Sequence, residues 1–167
     1  MSTLVVFESM WGNSRQVAEV AAESLGEDVT VVSVTEAPVT LPPDVDTLVL
    51  GGPTHAFSMS RASTRQEAGA KGADQGNVTS GMREWLGALS ACDHLRVATF
   101  DTRVASVRHL PGSAAKAAAR EVRRRHLGRV IATETFYVAD MAGPLLDGEL
   151  DRARAWGTSL SADRSTR

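Results

Sequence analysis

Five apolar runs of strand length constrain this chain most: Leu4–Phe7, Val29–Val34, Val45–Leu50, Leu95–Phe100 and Val130–Val138. They are nearly continuous and rich in β-branched residues, and helix-period segments lie between them. Strands without polar alternation are buried on both faces, so the pattern predicts a parallel α/β sheet with helices on each side. Val17, Ala21 and Leu25 recur at helical spacing beside Ala18 and Ala22, and Gly26 marks a stop. Met82, Trp85, Leu86 and Leu89 form a second stripe. Ser113 can cap an alanine-rich helix that reaches Val122 to Leu127, with Gly128 as its end. Asp147 can cap the last helix, which would bury Leu150, Ala153, Trp156 or Gly157, and Leu160. At 167 residues the chain suits one domain over 1–167, with no repeat or linker dividing it.

Two connections depart from a simple alternation. Pro38, Pro42 and Pro43 leave little room for a helix between Val34 and Val45. The link from Gly51 to Ser80 is too long for a βα turn. Its portion 58–81 holds Gly69, Gly72, Gly76 and Gly81 among scattered charges and no aromatic residue, which reads as a mobile, solvated loop. Residues 161–167 read as a flexible tail.

The richest chemistry lies in Glu8-Ser9-Met10-Trp11-Gly12-Asn13-Ser14, between the first strand and a helix beginning near Arg15. Converging backbone N–H groups, the donors Ser9, Asn13 and Ser14, and a helix N-terminus together make an anion seat. No Lys or Arg sits in the loop, and neither a P-loop nor GxGxxG is present. A monophosphate therefore fits better than a triphosphate or a dinucleotide. An ordinary turn also favours Gly, Asn and Ser.

In a doubly wound sheet, ligands sit beyond the C-terminal strand ends. The third strand is followed there by Gly51-Gly52-Pro53-Thr54-His55-Ala56-Phe57, the fourth by Asp101-Thr102-Arg103-Val104. The two glycines allow close backbone approach, and His55 and Phe57 offer flat surfaces. A phosphate seat with two loops bracketing a planar slot describes a site for flavin mononucleotide (FMN).

These motifs resemble the flavodoxin family, in particular short bacterial flavodoxin-like proteins with a Tyr/Phe-Glu-Ser-Met-x-Gly-Asn-Ser/Thr phosphate loop. The similarity runs from Leu4 to about Leu160. It includes Arg83-Glu84-Trp85-Leu86, Phe100-Asp101-Thr102-Arg103, and Gly143-Pro144-Leu145-Leu146-Asp147-Gly148-Glu149-Leu150. The resemblance implies a flavodoxin-like three-layer sandwich, with a five-stranded parallel sheet in the order 2-1-3-4-5 and non-covalent FMN. By position, Ser9, Met10, Trp11, Gly12, Asn13 and Ser14 would wrap the phosphate. Pro53, Thr54, His55, Ala56 and Phe57 would flank the ring, and Asp101, Thr102, Arg103 and Val104 would hold its pyrimidine edge, largely through backbone groups.

The chain also departs from that family. Many carriers stack a tyrosine from the loop after the fourth strand, yet residues 101–110 contain no aromatic. Carriers are strongly acidic, whereas the net charge here is -2. Arg103, with Arg108 or His109, would favour reduced anionic flavin and a higher potential. Three functions follow: electron transfer with a redox partner protein; oxidation or reduction of a small substrate such as a quinone or protoporphyrinogen, with 58–81 as a lid; or a regulatory module without a cofactor. Trp85 and Trp156 read as core residues and Tyr137 as a packed strand end.

The balance of charge points to neither nucleic acid nor a membrane surface. Arg120, Arg123, Arg124, Arg125 and Arg129 read as a solvated helix face, with docking of an acidic redox partner as the alternative. Cys92, the single cysteine, excludes an intrachain disulfide and a cysteine metal site, and no metal is expected. With no leader ahead of the first strand and no apolar run near 18 residues, a cytoplasmic location is expected.

Overall fold

A computed structural model describes residues 1–92 and 94–165. Its order is β1 (Ser2–Phe7), α1 (Asn13–Ala22), β2 (Val29–Ser33), β3 (Val45–His55), β4 (Ser58–Met59), α2 (Ala62–Ala70), α3 (Met82–Ala88), β5 (Arg96–Val104), a 3₁₀ turn (Ala105–Val107), α4 (Ala114–Arg124), β6 (Arg129–Val138) and α5 (Glu149–Ser165). Five strands run parallel in the order β2-β1-β3-β5-β6, and β4 pairs antiparallel with β3 alone. Setting β4 aside, this is the expected 2-1-3-4-5 sheet.

Alternation along the strands divides the core in two. Leu4, Val6, Leu48, Leu50 and Val97 pack under Trp85, Leu86, Ala118 and Val122 of α3 and α4. Val5, Val49, Ala98, Phe100 and Phe136 pack under Val17, Ala21, Ala153, Trp156 and Leu160 of α1 and α5. On that second face, Phe100, Phe136 and Trp156 meet edge to face, with centroids 5.9–6.1 Å apart. Gly157 lets α5 approach α1 closely, since a Cβ there would lie 2.3 Å from the Ala21 carbonyl oxygen.

Several boundaries differ from the sequence reading. The strands β3 and β5 continue past Leu50 and Phe100 because their polar ends still find ladder partners, Gly52 opposite Asp101 and Arg103 opposite Tyr137. Leu150, expected in the core, is 37% exposed. The helix α5 runs on through Ser165, so 161–165, expected as tail, are helical; Thr166 and Arg167 lie outside the described residues.

The largest correction concerns 58–81, which is not a bare loop. It contains β4 and α2, and Arg65 at its centre is completely buried. Arg65 Nε donates to the Val78 carbonyl (2.9 Å), and its terminal nitrogens donate to Ser60 Oγ (2.8 Å) and Glu84 Oε1 (2.8 Å). Composition alone suggested solvation, but one arginine satisfies three separated acceptors and draws the segment together.

Candidate functional site

Three loops meet at the C-terminal edge of the sheet. In the first, Gly12 adopts φ 92° and turns the chain from β1 into α1, which no side chain caps. Ser9 Oγ accepts from the Gly12 N–H at 2.9 Å, folding the loop on itself. Ser14 Oγ and Thr102 Oγ1 share a buried hydrogen bond of 2.7 Å, fixing the helix start against β5. Asn13 Nδ2 donates to the Ala142 carbonyl at 3.2 Å, and Gly143 beside it takes φ 101°, a conformation that favours glycine.

The open start of α1 contrasts with that of α4. There Thr54 Oγ1 accepts from Ala114 N–H (2.9 Å), Asp101 Oδ2 from Ala115 N–H (2.9 Å), and Ser113 Oγ from Lys116 N–H (3.3 Å). The first turn of α4 is thus satisfied by side chains, while that of α1 offers its N–H groups and positive dipole end outward.

Ser9, Met10, Trp11, Asn13 and Ser14 line a narrow cleft of about 50 Å³ with Pro53, Thr54, His55, Thr102 and Val104, joined by Val138 and Met141. It opens past Trp11, His55, Val104 and Met141 into a recess of about 200 Å³ that reaches Ala56, the α2 residues Thr64, Glu67 and Ala68, and Lys71 just beyond that helix. A larger hollow of about 480 Å³ lies across the Ser9 loop beside β2. Its walls include Glu36 and the Arg15–Glu19 ion pair, a net negative charge that disfavours an anion.

Other sequence-based candidates face elsewhere. Strand parity sends Thr102 and Val104 to the cleft, while Asp101 turns to the start of α4. Arg103, 6% exposed, gives its guanidinium to the carbonyls of Val107 (2.8 Å) and Leu110 (2.6 Å). It braces the turn after β5 instead of reaching into the cleft. The backbone of Asp101–Val104 belongs to the β5–β6 ladder, where a free loop was expected. Ala56 and Phe57 form the two-residue turn of the β3–β4 hairpin, both at positive φ (47° and 64°), the type I′ pattern usually given to Asn-Gly. Phe57, 46% exposed, lines neither cleft nor recess.

His55 Nδ1 lies 3.1 Å from Thr64 Oγ1. Burial, reinforced by Arg65, holds its pKa below the usual histidine value, so a neutral imidazole faces the cleft.

The sequence reading gave Glu8 no role. Its carboxylate is buried behind the Ser9 loop, accepting from Met82 N–H (2.8 Å) and Ser60 Oγ, one hydroxyl away from Arg65. Burial raises its pKa above the usual glutamate value despite those donors. A folded-state pKa above the unfolded one means that the folded chain binds the extra proton. Stability therefore falls as pH rises from about 4.5 through the raised Glu8 pKa. Glu8→Gln should flatten the unfolding free energy across that window; an unchanged slope would assign it to other groups. Gln75 adds a second cover, its N–H donating to the Met10 carbonyl at 3.1 Å, with Gly76 pressed against Met10 Sδ.

Solved structures share this fold over nearly the full chain. A flavodoxin from the domain Archaea aligns at 16% identity, TM-score 0.61, covering 99% of each chain. Flavodoxin 2 from Bacillus cereus aligns at 12% identity and TM-score 0.68, covering 98% of this chain and 99% of that one. An azoreductase from Bacillus anthracis aligns at 9% identity and TM-score 0.56, covering 95% and 100%. No family model and no curated protein sequence matches the chain. The fold is flavodoxin-like. Among the described residues no helix is long and apolar enough to cross a membrane.

Proposed function

We propose that the cleft binds FMN without a covalent bond and that the protein carries electrons to or from a protein partner. The observation that carries this reading is the uncapped start of α1 at one end of a cleft whose walls come from the ends of β3 and β5. Ser9, Gly12, Asn13 and Ser14 would hold a phosphate through N–H and hydroxyl donors. Pro53, Thr54, His55, Thr102 and Val104 would flank the ring with a largely uncharged surface, Trp11 and Met141 standing at the mouth. Bound there, FMN would supply reversible one- and two-electron chemistry. The chain's contribution is to position it, to exclude water at Thr102 and Ser14, and to keep the facing imidazole of His55 neutral.

Apo-protein should take up FMN in preference to riboflavin by about 10- to 100-fold, since a hydrogen bond to a charged group adds about 1.5–3 kcal/mol. Fluorescence titration with both flavins measures this. Equal affinities would remove the phosphate role of the Ser9–Ser14 loop.

The recess on α2 supports a second reading, turnover of a small substrate such as a quinone. It places His55, Glu67 and Lys71 around about 200 Å³ adjoining the cleft. Steady-state reduction of a soluble quinone by NAD(P)H, with no reductase added, distinguishes this reading from electron carriage.

A further inference from the structure

The near-neutral net charge conceals a division of the surface. Residues 108–129 carry seven Lys and Arg against one acid, Glu121, leaving eleven basic and nineteen acidic residues in the rest of the chain. The buried side of α4 is Ala114, Ala115, Ala118, Ala119 and Val122. Lys116, Arg120 and Arg123 therefore share the solvent face, and all three are exposed. Among the described residues, no ion pair engages them or Arg129; of the neighbouring cations, Arg124 pairs with Glu121 and Arg125 donates to the Leu89 carbonyl.

The N-terminal end of this face meets the rim of the cleft, where Ala114 N–H bonds Thr54. Two large apolar side chains stand exposed there, Phe57 and Leu110, each 46% accessible. Both are held in place. Phe57 sits at positive φ in a tight hairpin, its backbone against Gly112, and the Leu110 carbonyl is gripped by the buried Arg103. A small apolar centre beside a one-signed charged stripe is the anatomy of a transient protein interface.

We propose that the outer face of α4, with Phe57 and Leu110 at its cleft end, docks an acidic protein partner. The inference rests on the electron-carrying reading and names the partner's charge. A membrane is a poor match because the apolar side of α4 is spent in the core, leaving only Phe57 and Leu110 at one end to insert. Nucleic acid fits less well too. The stripe spans only 11 residues, about 16 Å of helix. A longer polyanion would run onto the acidic body, and no aromatic residue interleaves the cations to stack bases.

The test is a ¹H–¹⁵N titration of the full chain with an acidic [2Fe–2S] ferredoxin as probe and cationic cytochrome c as control. At low salt, the ferredoxin should shift Lys116, Arg120, Arg123, Phe57 and Leu110, and cytochrome c should not. Affinity should fall at least tenfold between about 20 and 200 mM salt, where the screening length shortens by about threefold. The K116E/R120E/R123E variant should lose at least tenfold in affinity while keeping its circular dichroism and flavin binding, because none of the three lines the cleft. Absent shifts, a salt-insensitive affinity, unchanged binding by the variant, or tighter binding to phosphatidylserine vesicles or duplex DNA would each overturn the proposal. The titration needs no flavin, so the two readings fail separately. Ferredoxin binding without FMN uptake would keep the docking face and remove the carrier, and the reverse outcome would remove the docking face alone.

Discussion

Replacing Arg65 by alanine is expected to destabilise the protein by about 2–4 kcal/mol and to release the segment that covers the candidate site from behind. The guanidinium is fully buried and satisfies Val78, Ser60 and Glu84 at once. Removing one member of a buried ion pair costs about 3–5 kcal/mol because its partner loses compensation. Here the Glu84 side chain is 39% exposed, so water recovers part of that loss. The desolvated carboxylate of Glu8 loses its nearest cation as well. Lysine should not rescue, since one ammonium cannot reach acceptors in three directions. Urea unfolding measures the loss. Hydrogen exchange should show α2 and residues 72–81 labelling faster in the variant while β5 stays protected. A variant within about 0.5 kcal/mol of wild type, with α2 unaffected, would show that the segment is held by other contacts.

What the sequence made legible divides along physical lines. The parallel sheet and both core faces followed from uninterrupted apolar runs and helical stripes, signals set by burial and therefore written in residue type, whereas the strand order came only from the flavodoxin resemblance. Trp85, Leu86, Ala153 and Trp156 are all buried as their spacing implied. The Ser9–Ser14 loop was legible because a helix start needs few residue types. Side-chain direction was not. Arg103 reads as a ligand until strand parity and the Val107 and Leu110 carbonyls fix it elsewhere. Arg65 looks like one solvated charge among several, because its acceptors at 60, 78 and 84 are distant in sequence. Phe57 stands beside the ring only by position in the flavodoxin resemblance, with 51–57 read as the loop after a third strand ending at Leu50. The strand continues to His55 and carries Phe57 out to the rim. Met141 and Val138 were missed because nothing local marks them; the end of β6 carries Val138 to the cleft and the turn after it brings Met141.

Gly51→Ala should be the most damaging single-methyl change in the chain, lowering stability by about 3 kcal/mol or more. A Cβ at Gly51 would lie 1.9 Å from two ring carbons of Phe100 and 2.3 Å from a third, far inside carbon–carbon contact. Overpacking usually costs about 1–3 kcal/mol because a neighbour can move. Phe100 cannot move easily: it is 1% exposed and wedged edge to face against Phe136 and Trp156. Strain would instead pass into the β3 and β5 backbones, which at this level pair Gly51 with Phe100 and then Gly52 with Asp101 and Pro53 with Thr102. The last of these pairs, Pro53 with Thr102, lines the cleft, so FMN affinity should fall together with stability. Phe100→Leu in the same chain should recover part of both by vacating the ring's space. Gly87→Ala supplies the contrast: it lies within α3 with no atom within 4 Å of an added Cβ, and should stabilise by about 0.5–1 kcal/mol. Urea unfolding of the three variants, paired with FMN titration, measures both effects. If Gly51→Ala unfolds like wild type, Phe100 has room the packing denies it, and the coupling of this core to the cleft fails.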